Sequence, residues 1–119
     1  MSKLQLDELN NLAGFVGAAL VDSDSGMSLA TIGGGGLDLE TAAAGNSEVI
    51  RAKRRVAQQL GLNDNIEDIL ISLGKQYHLI RPLDSNPTLF LYVALDRSRA
   101  NLAMARHELK SFEKTLDFK

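Results

Sequence analysis

With 119 residues, 45% of them hydrophobic, the chain can close one core and hardly two, so a single domain over 1–119 is expected. A formal net charge of −2 withholds the positive field behind most non-specific nucleic-acid affinity, and the absence of cysteine removes disulfides, thiolate nucleophiles and Cys-type zinc sites together. No apolar run approaches the ~18 residues of a membrane span, and Met1–Glu8 alternates polar and apolar without a signal-peptide core, so a cytoplasmic protein with no membrane insertion and no nucleic-acid partner is expected.

Leu6, Leu9 and Ala13 recur at helical spacing, and Ser2 with Gln5 fits a capping box, which predicts a short first helix. Phe15 to Val21 is apolar at both parities, the pattern of a central strand covered on both faces. Asp22-Ser23-Asp24-Ser25-Gly26 is turn chemistry, and Met27 to Ile32 returns as an antiparallel second strand.

Four consecutive glycines, Gly33 to Gly36, lead into Asp38, the expected N-cap of a long middle helix. Leu37 and Ala42 are spaced for a hydrophobic staple, Glu40 suits the helix dipole, and Gly61 followed by Leu62 gives a Schellman ending near Leu60. A glycine-rich loop before a helix invites a phosphate-binding reading. However, the trailing Gly-Lys-Ser/Thr of a P-loop and the spaced glycines of a dinucleotide fingerprint are both missing, which leaves a slack strand-to-helix connector.

At 100° per residue, Ala42, Val49, Val56, Ala57 and Leu60 share one face of the middle helix, while Ser47, Glu48, Arg51, Arg54, Arg55 and Gln58 share the other. The first set is expected to meet the core and a second helix, and the arginines are expected to stay in solvent, facing an acidic partner. Asn46 and Lys53 fall among the apolar residues, where isolated polar side chains fix the register of a helix seam. Ala42, Ala43, Ala44 and Gly45 are small enough for two such helices to approach closely.

Ile69, Ile71 and Leu73 alternate with Asp68, Leu70 and Ser72 in a third strand, and Gly74-Lys75-Gln76 turns the chain into a fourth, Tyr77 to Leu83, ending at Pro82. After the turn Asp84-Ser85-Asn86-Pro87, Thr88 to Leu95 is again apolar at both parities. Leu102, Ala105, Leu109, Phe112 and Leu116 step by three and four, predicting a last helix from about Ser98 to Leu116.

This order is α+β with a mostly antiparallel five-stranded sheet. If the doubly apolar first and fifth strands are central neighbours, the spatial order is 2-1-5-4-3 and the third strand is an edge. Ile66 to Leu73 holds neither proline nor lysine to protect that edge, so a symmetric copy is expected to pair with it. Asp22, Asp24 and Gly26 hint at a calcium loop, but its third oxygen position is missing and Gly33 stands where the bidentate Glu belongs. His78 and His107 lie far apart, and no nucleophile elbow is present. No catalytic residue, metal or cofactor is expected.

Three segments together resemble the Roadblock/LC7 (dynein light chain roadblock, LAMTOR-like) domain: Gly14 to Asp22 leading into Gly26, the alanine-bearing helix from Leu39 to Val49, and Leu91 to Asp96 followed by Asn101 to Arg106. The resemblance implies a profilin-like α-β-β-α-β-β-β-α domain, its sheet held between the middle helix and the first and last helices. It also implies dimerisation through the middle helix and third strand into a ten-stranded sheet, and a non-enzymatic role as regulator or scaffold of a small Ras-like GTPase. The interface would then use Ala42, Asn46, Val49 and Lys53 with Asp68, Ile69, Leu70, Ile71 and Ser72, and Arg51, Arg54 and Arg55 would meet the partner. The alternative function is a profilin-like small-ligand or sensory module without a GTPase.

Overall fold

The computed structural model describes residues 5–116. Five strands, β1 (Phe15–Asp22), β2 (Met27–Gly33), β3 (Ile69–Ser72), β4 (Gln76–Pro82) and β5 (Leu89–Asp96), form one antiparallel sheet in the order β2-β1-β5-β4-β3. The two strands apolar at both parities are indeed the central neighbours, paired from Phe15↔Leu95 to Asp22↔Leu89. Their alternating side chains supply two cores. Ala19, Val21, Phe90, Tyr92 and Ala94 pack beneath α1 (Leu39–Gln59), while Ala18, Leu20, Leu91, Val93 and Leu95 pack beneath α2 (Leu102–Phe112) and the N-terminal 3-10 turn Asp7–Asn11.

Local chemistry sets the helix ends. Asp38 Oδ1 accepts from the backbone N–H of Glu40 and of Thr41, each at 3.1 Å, and these bonds hold its carboxyl below the usual carboxylate range. At the other end, Leu62 N–H donates to Ala57 O and Gly61 N–H to Gln58 O, with Gly61 at φ +70°, the bond pair of a Schellman motif. Asn101 caps α2 through Met104 N–H at 3.1 Å.

Three expectations need correction. The first helix is a 3-10 turn, because Leu6, Leu9 and Leu12, all buried, repeat every three residues, the 3-10 period; Ala13 is exposed, and Ser2 lies outside the described residues. The last helix starts at Leu102, four residues late, since Asp96 Oδ1 accepts from Ser98 N–H and Oγ–H while Asp96 O accepts from Ala100 N–H, holding that stretch as a turn. Finally, the first half of the glycine run is tightly placed, whereas Gly35 and Gly36 face open space. Gly34 is buried at φ +108°, where an added Cβ would stand 3.1 Å from Leu37 O, and a Cβ on Gly17 would come within 2.7 Å of Gly34 N and Cα.

Opposite α1, Arg81 and Glu113 form a buried ion pair, with side chains 5% and 6% exposed. Arg81 Nε donates to Glu113 Oε1 at 2.8 Å, and Glu113 Oε2 accepts from Asp84 N–H at 2.9 Å, so one carboxylate ties the end of β4 to the turn after α2.

Candidate interaction surface

The sheet-facing stripe of α1 is Leu39, Ala43, Ser47 and Ile50, all buried. Ser47 belongs inside because its hydroxyl donates to Ala43 O, one turn back, at 2.7 Å. That rotation corrects the expected faces: Val49, Val56 and Leu60 are not core residues but remain 38%, 40% and 66% exposed. They line an outward flank with Ala42, Asn46 and Lys53, roughly a quarter turn from the buried stripe at 100° per residue.

This flank has a definite direction. On the other side of α1, Ser28 Oγ donates to Glu40 Oε2 at 2.7 Å, and Gly26 sits against Ala44, so that side leans on β2. The Ala42–Val49–Val56 flank therefore points toward β5, β4 and the β3 edge. Strand β3 pairs with β4 along one side, Ile69↔Ile80 to Ser72↔Tyr77, and its other side carries no strand among the described residues. Ile69 and Ile71 lie on the α1 side of the sheet, Leu70 on the α2 side, all three half-buried. Asp68, expected with them, lies before the strand; its carboxylate accepts from Arg106 Nε at 3.0 Å and Nη2 at 3.3 Å, which anchors the entry to β3 on α2.

Between the flank and the edge lies His78, whose partners no sequence motif reveals. His78 pairs across the sheet with Ile71 and Ala94, on the face beneath α1. Tyr92 Oη lies 3.1 Å from its Nδ1 and Gln76 Oε1 2.8 Å from its Nε2, with the His and Tyr rings edge to face at 5.3 Å. A neutral imidazole protonated at Nε2 satisfies both bonds, with Tyr92 donating to Nδ1 and Nε2–H donating to Gln76. Burial pushes the His78 pKa below its ordinary 6.5 and that of Tyr92 up to about 12. The legible signal was register: once His78 opposes Ala94, Tyr92 is its diagonal neighbour on the same face.

The three arginines expected in one solvent patch are dispersed. Arg51 Nη1 donates to Ser23 O at 2.7 Å, and Arg54 donates to Ser23 Oγ and Pro87 O, so both fasten the loops at one end of the sheet. Arg55 is exposed. Long side chains beside buried Ser23 find its carbonyl and hydroxyl, which a helical wheel does not register.

Among the described residues no group of three or more His, Cys, Asp or Glu side chains could hold a metal ion, and no helix is long and apolar enough to cross a membrane. What the geometry presents is a surface built of an apolar helix flank and an open strand edge. The sequence profile of the Roadblock/LC7 domain matches residues 1–94. The chain belongs to the Roadblock/LC7 family. No curated protein sequence matches it significantly. Its fold is shared by solved structures. A Roadblock/LC7 domain from Streptomyces avermitilis superposes with a TM-score of 0.77 at 18% identity, over 89% of this chain and 85% of that one. The gliding protein MglB of Thermus thermophilus gives 0.76 at 19%, over 93% and 82%. A structure described as MglB with tetrameric arrangement gives 0.68 at 18%, over 92% and 85%. In this Roadblock/LC7 domain, as the resemblance implied, the sheet lies between the long middle helix and the two terminal helical elements.

Proposed function

We propose that this Roadblock/LC7 chain is a cytoplasmic, non-catalytic homodimer that regulates or scaffolds a small Ras-like GTPase. The observation that carries the reading is the outward flank of α1, where Val49 and Val56 stay about two-fifths exposed on the side of the helix turned toward the open edge of β3. A two-fold axis beside β3 would continue the ladder from one sheet to the other through Ile69, Leu70, Ile71 and Ser72, giving ten strands and removing both edges. The same axis brings two copies of α1 together through Ala42, Val49 and Val56. Asn46 and Lys53 then act as the polar positions that fix the register of the seam, at some cost in stability.

Family membership supports the GTPase half of the reading, since the resemblance implies regulators and scaffolds of Ras-like GTPases. The dimer would act by contact, ordering the GTPase's own catalytic elements. Of Arg51, Arg54 and Arg55, which lie on the face of α1 away from the seam, Arg55 is the most available to an acidic partner, because the other two hold loop oxygens. The test is to mix the protein with a Ras-like GTPase of the same genome and follow GTP hydrolysis and nucleotide exchange. A change in either rate, or nucleotide-dependent capture, is expected. No binding and no rate change in either nucleotide state overturns the GTPase assignment.

A further inference from the structure

The edge of β3 restricts how a second copy can lie against it. Leu73 N–H donates to Gln76 O at 2.8 Å, so these residues form a hydrogen-bonded pair at the β3–β4 turn. Such pairs alternate along an antiparallel ladder, and in the register Ile69↔Ile80 to Ser72↔Tyr77 the backbone groups of Ile69 and Ile71 therefore point to β4. Those of Leu70 and Ser72 point out of the sheet, where another strand can meet them. Two β3 edges joined by a two-fold axis must set outward residues against outward residues, so within the strand the axis passes at Leu70, Ile71 or Ser72. With the axis at Ile71, Leu70 meets Ser72 of the other copy and Ser72 meets Leu70, and every outward residue of both strands is paired. An axis at Leu70 sets Ser72 against Asp68, and one at Ser72 sets Leu70 against Gly74, both outside β3.

Resting on the dimer reading above, we propose that two copies pair with the axis at Ile71 and that Lys75 of each binds Glu67 of the other, so that charge selects both the register and the partner. Lys75 lies as far beyond Ile71 as Glu67 lies before it, which brings the two to the same end of the seam. Both are exposed, and among the described residues neither forms an ion pair within its own copy. Arg97 adds a second cation at that end: its backbone N–H donates to Lys75 O at 3.0 Å, and its guanidinium lies 5.1 Å from the centre of the Tyr77 ring. Asp68 contributes less than Glu67, because Arg106 already holds its carboxylate. An axis at Leu70 or Ser72 sets Lys75 against Asn65 or Ile69 instead and forfeits the pair. The two-fold axis makes the contact twice, and a chain of the same fold lacking these two charges is disfavoured as a partner.

The test exploits the absence of cysteine from the full chain. Ile71→Cys introduces a single thiol that opposes its own copy in a non-hydrogen-bonded pair, with Cα atoms roughly 4.5 Å apart and within disulfide reach. Oxidation should link it into a dimer on a non-reducing gel. Leu70→Cys or Ser72→Cys alone should not link, since each stands roughly 8–9 Å from its own copy, but a mixture of the two should. Sedimentation at low salt should show self-association weakened about fivefold or more by Glu67→Lys and by Lys75→Glu, each altered at an exposed position. An equimolar mixture of those two variants places opposite charges together again and should regain the unmodified affinity. Linking by Leu70→Cys or Ser72→Cys alone, a dimer that Ile71→Cys does not link, or a charge-swapped mixture no tighter than its components overturns the proposal and leaves the dimer standing. A monomeric unmodified chain with no link at any of the three positions overturns the dimer reading and this proposal with it.

Discussion

Val56→Asp perturbs the proposed seam at a position that the fold of one protomer leaves partly in water. Complete burial of a valine contributes about 1.5–3 kcal/mol. Val56 is 40% exposed, so closing the interface over it adds about 0.6–1.2 kcal/mol, and a two-fold axis makes the contact twice. Aspartate forfeits that contribution and also brings to each helix a carboxylate that must be desolvated beside Lys53, at a net cost of at least about 1 kcal/mol per copy. The combined loss is at least about 3 kcal/mol per dimer, or roughly a hundredfold in dissociation constant at about 1.4 kcal/mol per factor of ten. Sedimentation equilibrium over a range of protein concentrations measures it directly. Met104→Asp, on the opposite face and 54% exposed, is the control and should leave the self-association unchanged. If Val56→Asp associates as tightly as the unmodified chain, with its circular dichroism intact, the α1 flank is not the seam.

Four further outcomes follow from the geometry. Glu113→Ala leaves buried Arg81 only the exposed carboxylate of Asp84, 3.8 Å away, and should cost about 3 kcal/mol in chemical denaturation at fixed protein concentration, whereas Arg81→Met/Glu113→Leu recovers most of that loss; equal losses in the two would contradict the ion-pair account. Gly34→Ala should cost about 1–3 kcal/mol through its φ of +108° and the crowding of Leu37 and Leu39, while Gly36→Ala, which meets open space, should stay within roughly 0.5 kcal/mol. For His78, burial lowers the folded-state pKa below 6.5, so as pH falls the unfolded chain takes up the proton first. Its contribution is therefore complete above about pH 6.5 and is lost as pH falls through the folded value; His78→Gln should reduce the drop in unfolding free energy between about pH 7.5 and 5.5, and an identical drop in both proteins would exclude His78 as its source. Arg55→Glu should weaken GTPase capture while sedimentation still reports the dimer, and unchanged capture would remove Arg55 from the partner surface.

The parts legible in the sequence are those where physics is local or parity decides. Phe15 to Val21 and Thr88 to Leu95 are apolar on both sides, and only a strand sandwiched between helices buries both, so the centre of the sheet and its strand order could be read off. Asp38 and the Gly61-Leu62 pair close the long helix through bonds spanning at most five residues. Rotation of that helix was not legible, because hydropathy counts Ser47 as polar and Val49 as apolar. Ser47 spends its polarity on the carbonyl of Ala43 and goes inside, and small Ala43 lets the backbone approach the sheet, which leaves Val49 and Val56 on the flank. Arg81 and Glu113 stand 32 residues apart, and neither segment shows that the other will bury beside it.

The most direct measurement is the light-scattering mass of the protein mixed with a Ras-like GTPase of the same genome, loaded in turn with a non-hydrolysable GTP analogue and with GDP. A complex holding two copies of this chain is expected, with its amount depending on which nucleotide is bound. A monomeric 12.9 kDa chain that elutes apart from the GTPase in both states would contradict both halves of the proposed function.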